Sequence, residues 1–382
     1  LGLAIGDALG APLEGLSPQQ IRSHYQSVTE YVDGVKAWKR KPFRWRVKGL
    51  YTDDTQQAQA ICDILLANGQ IDLDQLAKLY LDLATPDRGY AGSHRGVGKS
   101  FRHVLAELKE GKSPRDTGQP SAGIGAAVRI APIGLYFADD AEALFQNAMS
   151  ASLMTHRDVR SLAGALAVAI GVSRLVQLPA VKPDPAFVFR LAADVSRVEN
   201  RIAAEFSARV NSLAEHRNSL STSIANIERL LEIPRERALN ALMEQGNQQG
   251  PDGGLRRATQ GFAPSCIPTC LYLLLTTDSF EEALIDVINL GGDADSTGAI
   301  LGALSGAVYG YSNLPADWLR GLQNREAIDV RAVALHAKST DGLEIPELVT
   351  REFELSDLEA ATRESLLKSM ATGGDLGANR RL

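Results

Sequence analysis

Two short blocks of the 382-residue chain hold the side chains best suited to chemistry: Tyr51-Thr52-Asp53-Asp54-Thr55 and Gly291-Gly292-Asp293-Ala294-Asp295-Ser296-Thr297. Each joins paired aspartates to hydroxyls, with no basic residue between. Brought together, Asp53, Asp54, Asp293 and Asp295 would place four carboxylates in one site, and repulsion would force some to hold a proton. Two divalent cations would cancel that charge, with the hydroxyls of Thr52 and Ser296, and water, completing the shells. The donors are all oxygen and no cysteine–histidine cluster accompanies them, so Mg²⁺ or Mn²⁺ suits the site better than Zn²⁺. Either block alone would read as an ordinary helix N-cap, where Asp and Thr are common. Their repetition favours metal binding.

The elements that must position these blocks are helical. Apolar residues keep helical spacing along most of the chain and strand signals are rare, which points to an all-α fold. The pattern predicts helices over 56–67, with Thr52 or Asp53 as cap, and over 73–83, 100–110, 139–154, 159–176, 267–275, 280–290 and 296–309. A break containing Pro179, Pro183 and Pro185 precedes 186–231, which reads as one or two long amphipathic helices, and 246–261 reads as a polar, glycine-rich loop. In the helix over 296–309, Gly298, Gly302, Gly306 and Gly310 recur every four residues with Ala299, Ala303 and Ala307 beside them. A helical glycine costs up to about 1 kcal/mol, so this stripe predicts the close approach of a neighbouring helix. Beyond Trp318 the pattern loosens. Residues 331–382 read as a peripheral tail with a helix near 356–370 and a frayed end from 373.

Composition bounds the function. With 45% apolar and 23% charged residues the chain is of ordinary globular type, and 6% aromatics with abundant Ala, Leu and Gly suggest helices packed through small side chains. A net charge of -6 argues against a general nucleic-acid binder. The local basic run of Lys36, Lys39, Arg40, Lys41, Arg44, Arg46 and Lys48, with Trp38 and Trp45, reads as a solvated loop. Three cysteines give no disulfide framework and suit a reducing, cytoplasmic setting; Cys266 and Cys270 read as core packing. No unbroken apolar run reaches membrane-spanning length, so no membrane partner is expected. The opening Leu-Gly-Leu-Ala-Ile-Gly-Asp reads as a sequence entered partway along a helix rather than as a signal peptide.

Two further turns could face a phosphate-rich ligand. Arg95-Gly96-Val97-Gly98-Lys99-Ser100 leads directly into a helix, where small residues admit a diphosphate close to the backbone and free N–H groups await it; its spacing is not that of a Walker A loop. Ser121-Ala122-Gly123-Ile124-Gly125-Ala126-Ala127-Val128-Arg129 is the second. Thr155-His156-Arg157-Asp158 precedes an alanine-rich helix.

Together with Gly6-Asp7-Ala8-Leu9-Gly10, Pro12 and Glu14, these segments resemble the ADP-ribosylglycohydrolase family from Leu1 to about Trp318, apart from an insert near 180–250. The resemblance implies a single compact orthogonal helical domain over 1–330, with the insert within it and the tail outside it. It implies a binuclear Mg²⁺ or Mn²⁺ centre in a cleft, and cleavage of the glycosidic bond between ADP-ribose and an acceptor on a protein or small molecule. Carried over residue by residue, Thr52, Asp53 and Asp54 look like the first ligand group and Asp293, Asp295 and Ser296 like the second. Ser296 stands where many members have Thr, and Thr297 is a fallback hydroxyl. Glu14 is similar to a mobile acidic residue near the scissile bond, the first candidate for proton transfer, with Asp54 the second. Gly96, Gly98 and Ser100 resemble the diphosphate loop; Ser121, Gly123 and Gly125 border the nucleotide; His156 contacts substrate or orders a loop. Ile124 replaces an Asn of the family pattern and Val128 a Met, which bears on what is recognised. The acceptor (Arg, Ser, O-acetyl or another), the choice of metal and the oligomeric state stay open. The competing classes are a catalytically silent relative and a metal hydrolase of another nucleotide sugar.

Overall fold

Glycine spacing decides how the centre of the molecule is assembled. In the first helix, Gly2–Gly10, Gly2, Gly6 and Gly10 recur every four residues and face Gly302, Gly298 and Ala294 of the helix Ala294–Tyr309. A Cβ on Gly6 would overlap the carbonyl of Gly298, and one on Gly302 would overlap that of Gly2, so the two backbones touch directly. The close neighbour expected from the glycine stripe is therefore the chain's own first helix. Gly310 does not belong to the stripe: it ends the helix at φ +70° with open space around it.

The structure is a computed structural model describing residues 1–85, 91–250 and 254–371. The described residues form an all-α fold, with only isolated β-bridges such as Gln119 with His156 and Gly123 with Phe262. The helices Asp53–Asn68, Leu73–Leu83, Lys99–Lys109, Ala141–Leu153, Val159–Leu175 and Phe280–Asn289 lie where the periodicity puts them. Side-chain caps from Thr52, Asp72, Asp140, Asp158 and Ser279 set the starts of all of these but Lys99–Lys109, which follows Gly98 without one. The helix Ala263–Thr276 begins four residues earlier than expected and carries Pro268 in its interior. Cys266 and Cys270 on it are buried, unpaired thiols, consistent with core packing.

In the insert, Pro185–Glu205 is one long helix capped by Asp184, but the rest of 186–231 is broken into Leu213–His216, Ser219–Ala225 and Ile227–Leu230, and Arg235–Asn247 follows as a further helix. Ser212 and Asn218 adopt φ of +63° and +67°, which no continuous helix admits. Leu191, Val195, Ile224 and Ile227 are buried in the same core as the central helices. No described helix is long and apolar enough to cross a membrane.

Two sequence expectations need correction. The basic run is not a purely solvated loop, because its indoles supply area to bury. Trp45 is buried, Trp38 Nε1 donates to the Pro12 carbonyl at 2.9 Å, and Arg44 Nη1 reaches Glu14 Oε2 at 2.6 Å. The segment after 331 is not wholly peripheral either. Its helix spans Leu348–Ala371, eight residues longer at the start than expected, and Glu352 on it is fully buried. There it accepts hydrogen bonds from Tyr51 Oη and Arg95 Nη2, both at 2.5 Å, and from Gln56 Nε2 at 2.7 Å. Glu359, one heptad on, is buried too and pairs with Arg46 at 3.5 Å; charged residues at inward positions disguise the face, so apolar periodicity alone could not find it. The frayed end expected from 373 lies outside the described residues.

Candidate active site

The first aspartate block is held by Asp7, which stood in a motif but had no role assigned to it. Asp7 is fully buried on the first helix, and its carboxylate accepts from Thr52 N at 2.9 and 3.1 Å, Thr55 N at 3.0 Å and Thr55 Oγ1 at 2.6 Å. These bonds satisfy otherwise unpaired N–H groups at the start of Asp53–Asn68. On the other side, Asp53 N donates to the Arg95 carbonyl at 2.6 Å, while Arg95 is itself clamped by Glu352. The block is thus fixed from the first helix, from the Gly96 loop and from the C-terminal helix.

The second block sits on a glycine turn. Gly291 and Gly292 take φ of +64° and +79°, which makes Gly the fitting residue at both positions. Gly292 N donates to Leu16 O at 2.9 Å, Gly15 N donates to Gly292 O at 2.7 Å, and Asp293 N donates to Thr259 O at 2.7 Å. This two-way pairing is what brings Glu14, 278 positions away in the chain from Gly292, to the second aspartate block.

Both blocks reach one cavity of about 850 Å³, a size that suits a nucleotide-sized ligand. Glu14, Asp53, Asp54, Asp293, Asp295 and Ser296 line it, as do Gly96, Gly98, Ser100, Ser121, Gly123, Gly125 and His156. Two expected hydroxyls do not. Thr52 Oγ1 serves as the helix cap, accepting from Asp54 N at 3.4 Å, and Thr297 Oγ1 donates back to Asp293 O at 2.7 Å.

Electrostatics single out the floor. Burial, then the charges of Asp7 and Glu14, pushes Asp53 up to about 7. Burial, then Glu14, pushes Asp293 up to about 6. Burial and neighbouring carboxylates raise Asp54 and Asp295 well above the ordinary carboxylate range. Asp54 Oδ2 and Asp295 Oδ1 are buried with no hydrogen-bond partner. Such orphaned acceptors are costly unless a cation or proton meets them. Among the described residues no three acidic, imidazole or thiol groups close into a ready ligand shell. Even so, the donor chemistry and the orphaned oxygens fit a hard divalent cation.

The walls are built by glycines and by Arg129. Gly96 has φ +79° and packs on Thr52; Gly98 precedes the helix Lys99–Lys109 and faces open space. Arg129, fully buried, donates to Gln57 Oε1 at 2.7 Å and Gly125 O at 2.8 Å, and also to Thr155 Oγ1. Gln57 Nε2 in turn donates to Asp53 Oδ2 at 2.6 Å, so the nucleotide-side loop and the floor share one network. His156 Nδ1 lies 2.8 Å from Thr155 Oγ1, and burial and Arg129 lower the ring to about 3, leaving it neutral. A Cβ on Gly125 would come within 2.9 Å of this ring, so His156 orders the Gly123–Gly125 loop as well as lining the cavity. Ile124 lines the cavity but is nearly buried. Sequence reading missed Asp7, Gln57, Arg129, Arg256, Arg257 and Gln260. Asp7 and Arg129 stood inside quoted motifs, whereas the others carried no local signal.

Comparison with known proteins bears on this constellation. The chain is 28% identical to an uncharacterized protein of Archaeoglobus fulgidus, covering 88% of this chain and 94% of that one. It is 27% identical to ADP-ribosylhydrolase ARH3 of Bos taurus, covering 88% and 90% respectively. A solved structure titled ADP-ribosylglycohydrolase-related protein complex superposes with a TM-score of 0.59 at 26% identity, covering 88% of this chain and 95% of that one. The family model described as ADP-ribosylglycohydrolase matches residues 1–343, so the chain belongs to the ADP-ribosylglycohydrolase family of glycosidic-bond hydrolases.

Proposed function

We propose that the protein is a metal-dependent hydrolase of the glycosidic bond between ADP-ribose and an acceptor, the acceptor being a protein side chain or a small molecule. The observation that carries this reading is the meeting of both aspartate blocks and Glu14 in one cavity, with the orphaned oxygens of Asp54 and Asp295 in its floor. Asp53, Asp54, Asp293, Asp295 and Ser296 would hold two Mg²⁺ or Mn²⁺ ions, with Thr52 turning its hydroxyl from the cap to join them. When bound, the ions would orient the cis-diol of the distal ribose and withdraw charge from it.

The protein's own groups supply the rest. The turn at Gly96 and Gly98 and the Ser100 hydroxyl would cradle the diphosphate at a helix N-terminus. Ser121, Gly123, Gly125 and the neutral His156 ring would shape the nucleotide side. Cleavage at an anomeric carbon passes through an oxocarbenium-like state and needs a carboxyl group to move a proton. Glu14, half-exposed at the cavity mouth, is the first candidate; Asp54, in the floor, is the second. Arg44 holds Glu14 at 2.6 Å and so fixes where that carboxylate waits.

The test is incubation of the Mg²⁺- or Mn²⁺-loaded protein with Arg-linked and Ser-linked ADP-ribosyl peptides, resolving products by mass. Free ADP-ribose with the intact acceptor is the expected result. Binding without turnover would instead indicate a silent relative, and phosphate or AMP release a hydrolase acting on another bond.

A further inference from the structure

Three cations that line the site cavity are held by no ion pair among the described residues. Lys99, Arg256 and Arg257 have no side-chain ion pair or hydrogen bond among the described residues, unlike Arg44 and Arg129. Arg257 is half-buried, and its Cδ lies 3.0 Å from where a Cβ on Gly292 would stand. Because Gly292 O accepts from Gly15 N at 2.7 Å, this arginine sits beside the Glu14 turn. Burial, and Arg256 next to it, pull the Arg257 guanidinium below its ordinary range, as expected where a cation lacks its anion.

A second cavity of about 870 Å³ shares Glu14, Gly96, Gly98 and Lys99 with the first and continues past them toward Arg44, Arg102 and Arg363. Its lining holds six cationic side chains against three acidic ones, and with Arg95 already neutralised by buried Glu352 the balance is still positive, in a chain whose net charge is -6. The local sign is therefore the reverse of the molecule's. On the reading proposed above, Glu14 stands at the scissile bond, so space beyond it belongs to the leaving group rather than to ADP-ribose.

We propose that this second cavity and the Arg256–Arg257 rim form an acceptor groove for acidic polypeptide, admitting an ADP-ribosylated residue flanked by Asp or Glu. The inference rests on the hydrolase reading for its substrate, but not for its charge preference. Asp357 and Glu359 interrupt the groove, and the molecule as a whole is acidic. Both features oppose a continuous phosphodiester chain and suit a peptide bearing a few carboxylates. An acceptor in a basic context would meet repulsion at Lys99, Arg256 and Arg257.

The experiment uses the full chain loaded with Mn²⁺ and two Ser-linked ADP-ribosyl peptides of equal length, one with acidic and one with basic flanks, together with the same peptides unmodified and labelled. At low salt the acidic substrate is expected to show about fivefold to tenfold higher kcat/KM, through KM, the size that two or three exposed ion pairs supply. The labelled acidic peptide should bind more tightly by a similar factor in anisotropy. Both preferences should collapse in 0.5 M salt, about where screening becomes short-ranged, and in Arg256→Glu/Arg257→Glu. Lys99→Glu serves as an independent second variant, expected to reduce the preference in the same direction. Equal or basic-favouring peptides, or tighter binding of a labelled single-stranded oligonucleotide, would overturn the proposal. Peptide preference without any turnover would keep the groove and sink the hydrolase reading; turnover without preference would do the reverse.

Discussion

At the scale of single residues, the account turns on carboxylates whose neighbours forbid an ordinary charge state. Asp53 and Asp293 are raised to about 7 and about 6, and Asp54 and Asp295 also lie well above their unfolded values. Groups raised in this way bind more protons folded than unfolded, so their contribution to metal-free stability is full below pH ~4 and is lost as pH rises toward ~7. Saturating Mn²⁺ should flatten that slope, which thermal denaturation at several pH values, with and without chelator, would reveal. For the same reason Asp54→Asn should raise the melting temperature of the metal-free protein while abolishing the rise that Mn²⁺ produces in wild type. A loss of metal-free stability would show that Asp54 is satisfied in some other way. Glu14→Gln should keep the metal-induced rise and lose about 10²–10⁴ in turnover, the span of one proton-transfer group. Much of this was legible in the sequence, because paired acids, hydroxyls and Gly-Gly punctuation are local signals. Asp7 was not, because a lone aspartate on an apolar helix shows its purpose only when Thr52 and Thr55 stand opposite.

At the scale of elements, two contacts set the floor of the cavity. The helices Gly2–Gly10 and Ala294–Tyr309 meet glycine on glycine, so Gly6→Ala must push apart backbones that carry Asp7 and Asp295. Overpacking of this kind costs about 1–3 kcal/mol or more, and the expected readout is a lower denaturation midpoint with weakened metal binding. Glu352 on Leu348–Ala371 reaches the buried Arg95 at 2.5 Å, and the Arg95 carbonyl holds Asp53 N. Glu352→Ala strands a buried guanidinium and should cost about 3–5 kcal/mol in urea unfolding, although the residue lies outside the cavity lining. Helix existence was readable because apolar spacing is a property of each segment. The insert was misread because Ser212 and Asn218 break it through backbone conformation rather than through Gly or Pro. The role of Glu352 was hidden because the inward face of its helix carries acids, Glu352 and Glu359, where an apolar pattern would be sought.

At the scale of the whole molecule, function follows from distant segments converging on one cavity. Residues 7 and 14, 53, 95, 129, 293 and 352 come from six regions of the chain, joined by the glycine crossing, the Gly291–Gly292 turn and the buried Arg95–Glu352 pair. No periodicity argument orders them; only the family resemblance placed Glu14 with the aspartates in advance, and it could not foresee Arg44 gripping that carboxylate. The central claim is that the aspartate floor needs a divalent cation to hydrolyse an ADP-ribosyl bond. Its most direct test is the rate of ADP-ribose release from an ADP-ribosylated peptide during titration of the chelated protein with Mn²⁺. The account predicts no release without metal, saturable recovery in wild type, and no recovery in Asp293→Asn at any concentration that saturates wild type. Undiminished release in the presence of chelator, or full recovery in Asp293→Asn, would contradict it.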